Sequence, residues 1–131
     1  MCRFSMSWAV IMFARTQYMV CEADGNLPIP IFRVGNQALS SFVSLEIHDM
    51  TATTNLDYRP SRARLLQFDP MVTTVTWNVA LLEDELEEVR ERFRVTLVDP
   101  VNAVLGQYNR LTVVIKDAKN GKSTIFSSIE I

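Results

Sequence analysis

Residues 72–82 read VTTVTWNVALL, and this stretch decides the fold because its apolar and polar side chains alternate. A period of two places every second side chain on the same face of an extended chain. The inward face would carry large apolar side chains, namely Val75, Trp77, Val79 and Leu81. Asp69-Pro70 precedes the stretch as a turn signal. We therefore predict a strand over Val72–Leu82 with one face in a core.

Stretches with a similar β signature lie on both sides of this one. The further predicted strands are Val10–Val20, Leu27–Val34, Phe42–His48, Arg64–Phe68 and Leu111–Ile115. Asp24-Gly25 and Asp99-Pro100 are turn signals, and Thr51–Pro60 is polar and loop-like. Pro28 and Pro30 should place their strand near an edge or leave its amide side unpaired. We predict an all-β fold, an immunoglobulin-like two-sheet antiparallel β-sandwich of about seven strands.

The segment Glu83–Arg94 supports two interpretations. Apolar residues at helical spacing, with good helix formers between them, predict an amphipathic helix of about three turns. These residues are Leu82, Leu86, Val89 and Phe93. The alternative is a strand over Glu91–Leu97 with Phe93, Val95 and Leu97 facing inward. Because Phe93 belongs to both patterns, the residues alone leave the choice open.

Composition excludes several classes of protein. The 131 residues suit one domain, and a pI near 5.4 is unlike the high pI of a typical nucleic-acid-binding protein. The apolar run Trp8–Phe13 is too short to cross a bilayer, so we predict no direct membrane insertion. Cys2 and Cys21 fit neither a disulfide framework nor a CxxC site. His48 is the only histidine, and it has no recognisable catalytic partner, so we predict that the chain is not an enzyme.

Charged residues are clustered in two places. Arg59, Arg62 and Arg64 lie close together, and the segment from Glu83 to Glu91 is rich in acids. Calcium prefers about six to eight oxygen ligands, mostly carboxylates and carbonyls. Loops at one end of a sandwich converge in space, so acids from several loops could form a calcium site. A solvated acidic segment explains the same residues equally well.

Several of these stretches together match a known pattern. The pieces are Tyr18-x-Val20-x-Glu22, Asp49-x-Thr51-Ala52 with Asp57-Tyr58, Leu66-x-Phe68-x-Pro70, Asp84 through Leu97, and Val113-x-Ile115-x-Asp117. In this combination, residues 10–119 resemble a Calx-beta domain. The repeats of Fraser-complex extracellular matrix proteins are resembled especially by four stretches: Arg33-Val34-Gly35-Asn36, Asp57-Tyr58-Arg59-Pro60, Gln67-Phe68-Asp69-Pro70 and Pro100 to Gly106. Met50 and Met71 replace glycines of the family pattern. Residues 1–9 are then expected to be a linker or the end of a preceding segment. Residues 120–131 are expected to be a tail or the start of a following repeat.

The resemblance has consequences for the acidic segment. It implies that residues 84–91 form a loop and that Phe93 begins a strand. It also implies calcium ligands at the positions that bind calcium in sodium–calcium exchangers: Glu22, Asp49, Asp84, Glu88, Glu91 and Asp117. The family's run of three aspartates reads Asp117-Ala118-Lys119 here, so two carboxylates are missing. We therefore expect at most about one calcium ion, weakly bound.

The resemblance also implies a function. We expect a structural and adhesion repeat of an extracellular matrix protein, located in the basement membrane as part of a larger secreted or membrane-anchored protein. Its expected partners are neighbouring repeats of the same chain and matrix or cell-surface proteins. One alternative is a calcium-sensing regulatory domain of a membrane protein such as a sodium–calcium exchanger, which would need stronger binding. Another is an isolated immunoglobulin-like domain that binds a protein through its loops.

Overall fold

The computed structural model describes residues 8–83 and 90–116, which form two five-stranded sheets. The strands are β1 (Ala9–Phe13), β2 (Gln17–Cys21), β3 (Asn26–Gly35), β4 (Ser41–Asp49), β5 (Tyr58–Pro60), β6 (Leu65–Phe68), β7 (Thr74–Leu81), β8 (Glu91–Val101), β9 (Val104–Leu105) and β10 (Arg110–Lys116). The strand order is β5-β7-β3-β1-β9 in one sheet and β2-β10-β8-β4-β6 in the other. The predicted all-β two-sheet fold is confirmed.

Alternation along the strands builds the core between the sheets. Trp77, Val79 and Leu81 of β7 are buried, whereas the alternate residues Thr76 and Asn78 are exposed. The same period buries the predicted inward residues of β3 and β8, namely Leu27, Ile29, Ile31, Phe93, Val95 and Leu97. Side chains of this size each contribute roughly 1.5–3 kcal/mol when they leave water, so this interface supplies most of the stabilising burial.

Pro28 and Pro30 lie where the prediction requires them. β1 pairs only with the second half of β3, from Ile31 to Gly35. The amide of Arg33 donates to the Thr73 carbonyl on the β7 side, so amides of the opposite parity point towards β1. Pro28 and Pro30 therefore face the β1 side with the position where an amide would be, but they lie before the part of β3 that pairs with β1. Their missing N–H groups thus remove no hydrogen bond between strands.

The expected number of about seven strands is wrong, because the structure has ten. Val10–Val20 is two strands in different sheets, since β1 pairs with β3 whereas β2 pairs with β10. The residues that face the core also change from odd-numbered ones, such as Phe13, to even-numbered ones, such as Tyr18. A single regular strand cannot do this, because every second side chain stays on the same face. Thr51–Pro60 is not entirely loop, because β5 lies within it.

Asp99-Pro100 is not the turn that the sequence predicts. Both residues lie within β8, which continues to Val101. Ser44 pairs with Val98 but Phe42 pairs with Val101, so β8 contains one extra residue at this point. Asp99 has a positive φ of 53°, and the bulge absorbs the proline without ending the strand.

Tertiary pairing decides part of the ambiguous segment. β8 begins at Glu91, so Glu91–Arg94 is strand rather than helix, and Phe93 pairs with Asp49. The rest of the predicted helix or loop, residues 84–89, lies outside the described residues. Burial of Phe93, Val95 and Leu97 between two sheets outweighs the local helix preference of their neighbours.

The sandwich has two chemically different ends. One, called the acidic end, contains the ends of β2, β4 and β10 and the start of β8. The other, called the Arg33 end, contains the start of β1 and β4 and the end of β3. Within the described ranges, no helix is long and apolar enough to cross a membrane.

Candidate functional site

Asp49 is held in a hydrogen-bond network at the acidic end. It is the last residue of β4, and the chain then turns back through Thr54 to Tyr58. The Thr54 hydroxyl donates to Oδ1 of Asp49 at 2.7 Å, and the Thr54 amide donates to Oδ2 at 3.2 Å. The Tyr58 hydroxyl also donates to Oδ1. Burial raises the Asp49 pKa, but the hydrogen bonds from Tyr58 and Thr54 outweigh it, so the pKa lies below its ordinary value.

Tyr58 connects this network to the core. Its side chain is fully buried, and its ring stacks on Phe93 with centroids 3.7 Å apart and planes within 6°. Burial first, and then the hydrogen bond to the Asp49 carboxylate, raise the Tyr58 pKa well above its ordinary value. The phenol therefore stays neutral and remains a donor to Asp49 across the physiological range.

Further hydrogen bonds attach the turn after β4 to both sheets. Thr53 and Asp57 bond each other twice, because the Thr53 amide donates to the Asp57 carboxylate and the Asp57 amide donates to the Thr53 carbonyl, each at 2.8 Å. The Ala52 amide donates to the Arg92 carbonyl on β8. The Leu82 amide, just after β7, donates to the Asp57 carbonyl. The turn is thus fixed by protein groups on two sides.

The predicted metal ligands fall into two groups. Glu22, Asp49 and Glu91 are described: each lies at a strand end of the acidic end, and Glu22 is only 5% exposed. Asp84, Glu88 and Asp117 lie outside the described residues. In residues 8–83 and 90–116, no three His, Cys, Asp or Glu side chains are close enough to hold a metal ion together.

The hydrogen bonds of Asp49 limit how it could bind calcium. A carboxylate has about four lone-pair positions. Oδ1 already accepts two hydrogen bonds and Oδ2 accepts one within the described part of the chain. Asp49 therefore fits a cation as a single-oxygen ligand through Oδ2, since bidentate binding would break the bond to Tyr58 or Thr54.

Arg33 organises the opposite end, and the sequence analysis missed this. It is 1% exposed, and its guanidinium stacks on Phe68 at 5.5 Å. All five of its N–H donors bond neutral oxygens, which are the carbonyls of Gln37, Leu39, Asp69 and Val72 and the Ser41 hydroxyl. A single side chain thus connects the β3–β4 and β6–β7 turns.

Parity along β3 could have identified Arg33. It follows the buried residues Ile29 and Ile31 at the same spacing of two. A charged residue on an inward-facing position must find hydrogen-bond partners, because an unpaired buried charge is too costly. Asp49 and Tyr58 offer no such signal, since their contact depends on how the turn between them folds.

Comparisons with known proteins agree with this architecture. A family model described as the Calx-beta domain matches residues 7–119. FRAS1-related extracellular matrix protein 1 of Homo sapiens is 40% identical over 117 residues, which are 89% of this chain and 5% of that protein. Extracellular matrix protein 3 of Lytechinus variegatus is 36% identical over 89% of this chain and 4% of its own length. The chain therefore spans only a small part of these matrix proteins.

Solved structures give the same result. The apo-form Calx CBD1 domain is 28% identical, with a TM-score of 0.78 over 84% of this chain and 97% of that one. A structure described as calcium binding domain CBD12 of CALX1.1 is also 28% identical, with a TM-score of 0.76 over 82% of this chain and 44% of that one. The chain belongs to the Calx-beta domain family.

Proposed function

We propose that this domain is a structural repeat of an extracellular matrix protein of the basement membrane, where it supports adhesion between cells and matrix. The observation that carries the proposal is that β1 begins at the Arg33 end and β10 ends at the acidic end. A chain that enters and leaves at opposite ends can connect domains in a row. The similarity to matrix proteins supports this role and favours a structural function over catalysis.

The neighbouring repeat is the first proposed partner, and the Arg33 end offers a surface for it. Trp8, Leu39 and Met71 are 60%, 63% and 70% exposed. Trp8 and Leu39 line one pocket with Asn36, and Met71 lines another pocket that also includes Asn36. Exposed apolar side chains grouped at one end favour a contact with another folded domain.

Proteolysis of the full-length protein tests this surface. Trp8→Ser with Leu39→Ser should speed cleavage next to the domain, because the repeats would dock less firmly. Met19→Ser with Leu65→Ser is the control, since those side chains are also exposed, at 49% and 61%, but lie on β2 and β6 away from the Arg33 end. Equal cleavage of both variants would exclude the Arg33 end as the contact.

Calcium is the second part of the proposal. The domain would bind at most about one ion, weakly, with dissociation constants near 10⁻⁴–10⁻³ M as in extracellular modules. The proposed ligands are Glu22, Asp49, Asp84, Glu88, Glu91 and Asp117. The similarity to a calcium binding domain supports the site, whereas the incomplete aspartate run at Asp117-Ala118-Lys119 supports the low affinity.

A calcium-sensing regulatory domain is the alternative function, and the similarity to CBD12 of CALX1.1 favours it. Such a sensor needs tight binding and a change of shape. Because Tyr58 and Thr54 already hold the Asp49 carboxylate, calcium would add little order to this turn. Calorimetry and melting of the chain with calcium separate the two functions. Binding tighter than about 10⁻⁵ M supports the sensor, and no response at several millimolar excludes the site.

A further inference from the structure

Three arginines surround a pocket on one side of the sandwich, next to the turn whose Thr54 holds Asp49. This basic pocket is lined by Thr54, Asn55, Arg59, Pro60, Arg62 and Arg64, and its volume is about 340 Å³. Arg59 lies in β5, and Arg62 and Arg64 lie in the segment that crosses from β5, at the edge of one sheet, to β6, at the edge of the other. All three side chains are exposed.

The backbone beneath the arginines is fixed in place. The Ser61 amide donates to the Asn78 carbonyl at 2.9 Å, and the buried Trp77 indole donates to the Ala63 carbonyl at 2.7 Å. The Leu45 amide donates to the Arg64 carbonyl at 2.8 Å. These bonds attach the crossing segment to β7 and β4, so the backbone that carries the arginines is ordered before any ligand arrives.

No acid neutralises this positive charge in the part of the chain that the structure describes. The only contact there between a basic and an acidic side chain joins His48 to Glu46, at 3.5 Å. The nearest acids on the preceding turn, Asp49 and Asp57, accept hydrogen bonds from Thr54, Tyr58 and Thr53. Of the three pocket arginines, only Arg64 donates a side-chain hydrogen bond within the described residues, and it goes to the Ser61 carbonyl.

We propose that the basic pocket binds the sulfate groups of a sulfated polysaccharide. Guanidinium groups pair with tetrahedral oxyanions through two parallel hydrogen bonds, and they lose less hydration than an ammonium when they do so. The pocket holds about ten times the volume of a water molecule, which suits a chain with several anionic groups better than one small ion. Its lining has no exposed apolar side chain to anchor a peptide.

This inference rests on the proposed function in one respect only: the domain must be extracellular to meet a sulfated polysaccharide. Its test uses the isolated 131-residue chain, so it stands or fails separately from the proposed repeat function. Loss of the polysaccharide site would leave the contact between repeats intact. Conversely, failure of the proteolysis test at the Arg33 end would leave polysaccharide binding intact.

The experiment measures binding of heparin to the wild-type chain and to two triple variants. The site variant carries Arg59→Gln, Arg62→Gln and Arg64→Gln. The control carries Arg90→Gln, Arg92→Gln and Arg110→Gln, which remove the same charge from other exposed positions. Far-UV circular dichroism checks that each variant is folded. If the site variant unfolds, Arg62→Gln alone replaces it.

We expect the site variant to lose at least about tenfold in affinity for heparin at about 0.15 M salt. A plot of its log K against log salt should also be shallower than that of the wild type, by roughly two to three in slope. The control should lose less than about threefold. If both variants lost the same heparin affinity, the effect would be explained by net charge alone, and the proposal would be overturned. Binding of polyglutamate or desulfated heparin as tightly as heparin would overturn the sulfate assignment.

Discussion

Replacement of Arg33 by methionine tests the strongest structural claim, that one buried cation holds the Arg33 end together. Methionine fills much of the volume of the arginine stem but donates no hydrogen bond. Five oxygens would lose a donor, four of them backbone carbonyls in the turns around β3, β4 and β6. The Ser41 hydroxyl would still have its bond to the Asn102 carbonyl at 2.9 Å.

The magnitude follows from the cost of an unsatisfied buried acceptor, about 1–3 kcal/mol each. Water can reach some of these carbonyls, because Leu39 and Asp69 lie in exposed turns. We therefore expect Arg33→Met to lower the free energy of unfolding by about 3–5 kcal/mol rather than by the full sum. Arg33→Lys should lose an intermediate amount, since lysine offers only about three donors for these acceptors.

Urea denaturation measures this effect. A loss of 3–5 kcal/mol would move the midpoint by roughly 2 M with an unchanged slope. Arg59→Met is the control, because Arg59 is exposed and should shift stability by less than about 0.5 kcal/mol. If Arg33→Met lost less than about 1 kcal/mol, or if Arg33→Lys matched the wild type, the five-bond account would be wrong.

Three further predictions concern single groups. Tyr58→Phe keeps the stack on Phe93 but removes the donor to Asp49, so the free energy of unfolding should fall by about 1–2 kcal/mol at pH 7. If Tyr58→Phe lowered the free energy of unfolding by the same amount in a chain that already carries Asp49→Asn, the hydrogen bond from Tyr58 to the Asp49 carboxylate could not be the cause. Because the folded-state Asp49 pKa is lowered, its stabilising contribution is present above the ordinary value of 3.8 and is lost as pH falls below it. The difference between wild type and Tyr58→Phe should therefore narrow in denaturation curves taken below pH 4, and a constant difference would count against it. Gly35→Ala should lower the melting temperature, because φ is +86° and a Cβ would lie 2.4 Å from the Trp8 carbonyl oxygen. An unchanged melting temperature would mean that the chain near Trp8 can move aside.

The sequence predicts the positions of the long strands better than it predicts the total number of strands. Alternation of two identifies β3, β7 and β8, because burial on one face requires it. β5 and β9 have three and two residues, which is too short for any period to show. Asp99-Pro100 misleads because a bulge can absorb a proline that otherwise signals a turn.

The candidate site is only partly predictable. The strand ends that bring Glu22, Asp49 and Glu91 to one end follow from the pattern and the family resemblance. The hydrogen bonds of the Asp49 carboxylate do not, because they depend on the fold of the turn after β4 and on burial of Tyr58. The cluster of Arg59, Arg62 and Arg64 is visible in the sequence, but the pocket that they share requires the crossing between two sheets.

The opposite positions of the first and last strands also determine how the domain would respond to tension. A pull applied at the start of β1 and at the end of β10 acts along these two strands. The hydrogen bonds to β3, β8 and β2 lie across that direction, so the pull shears whole ladders at once. Peeling them one pair at a time would need much less force. A row of such domains would therefore extend first at the connections between them, while each folded sandwich transmits the load to the next.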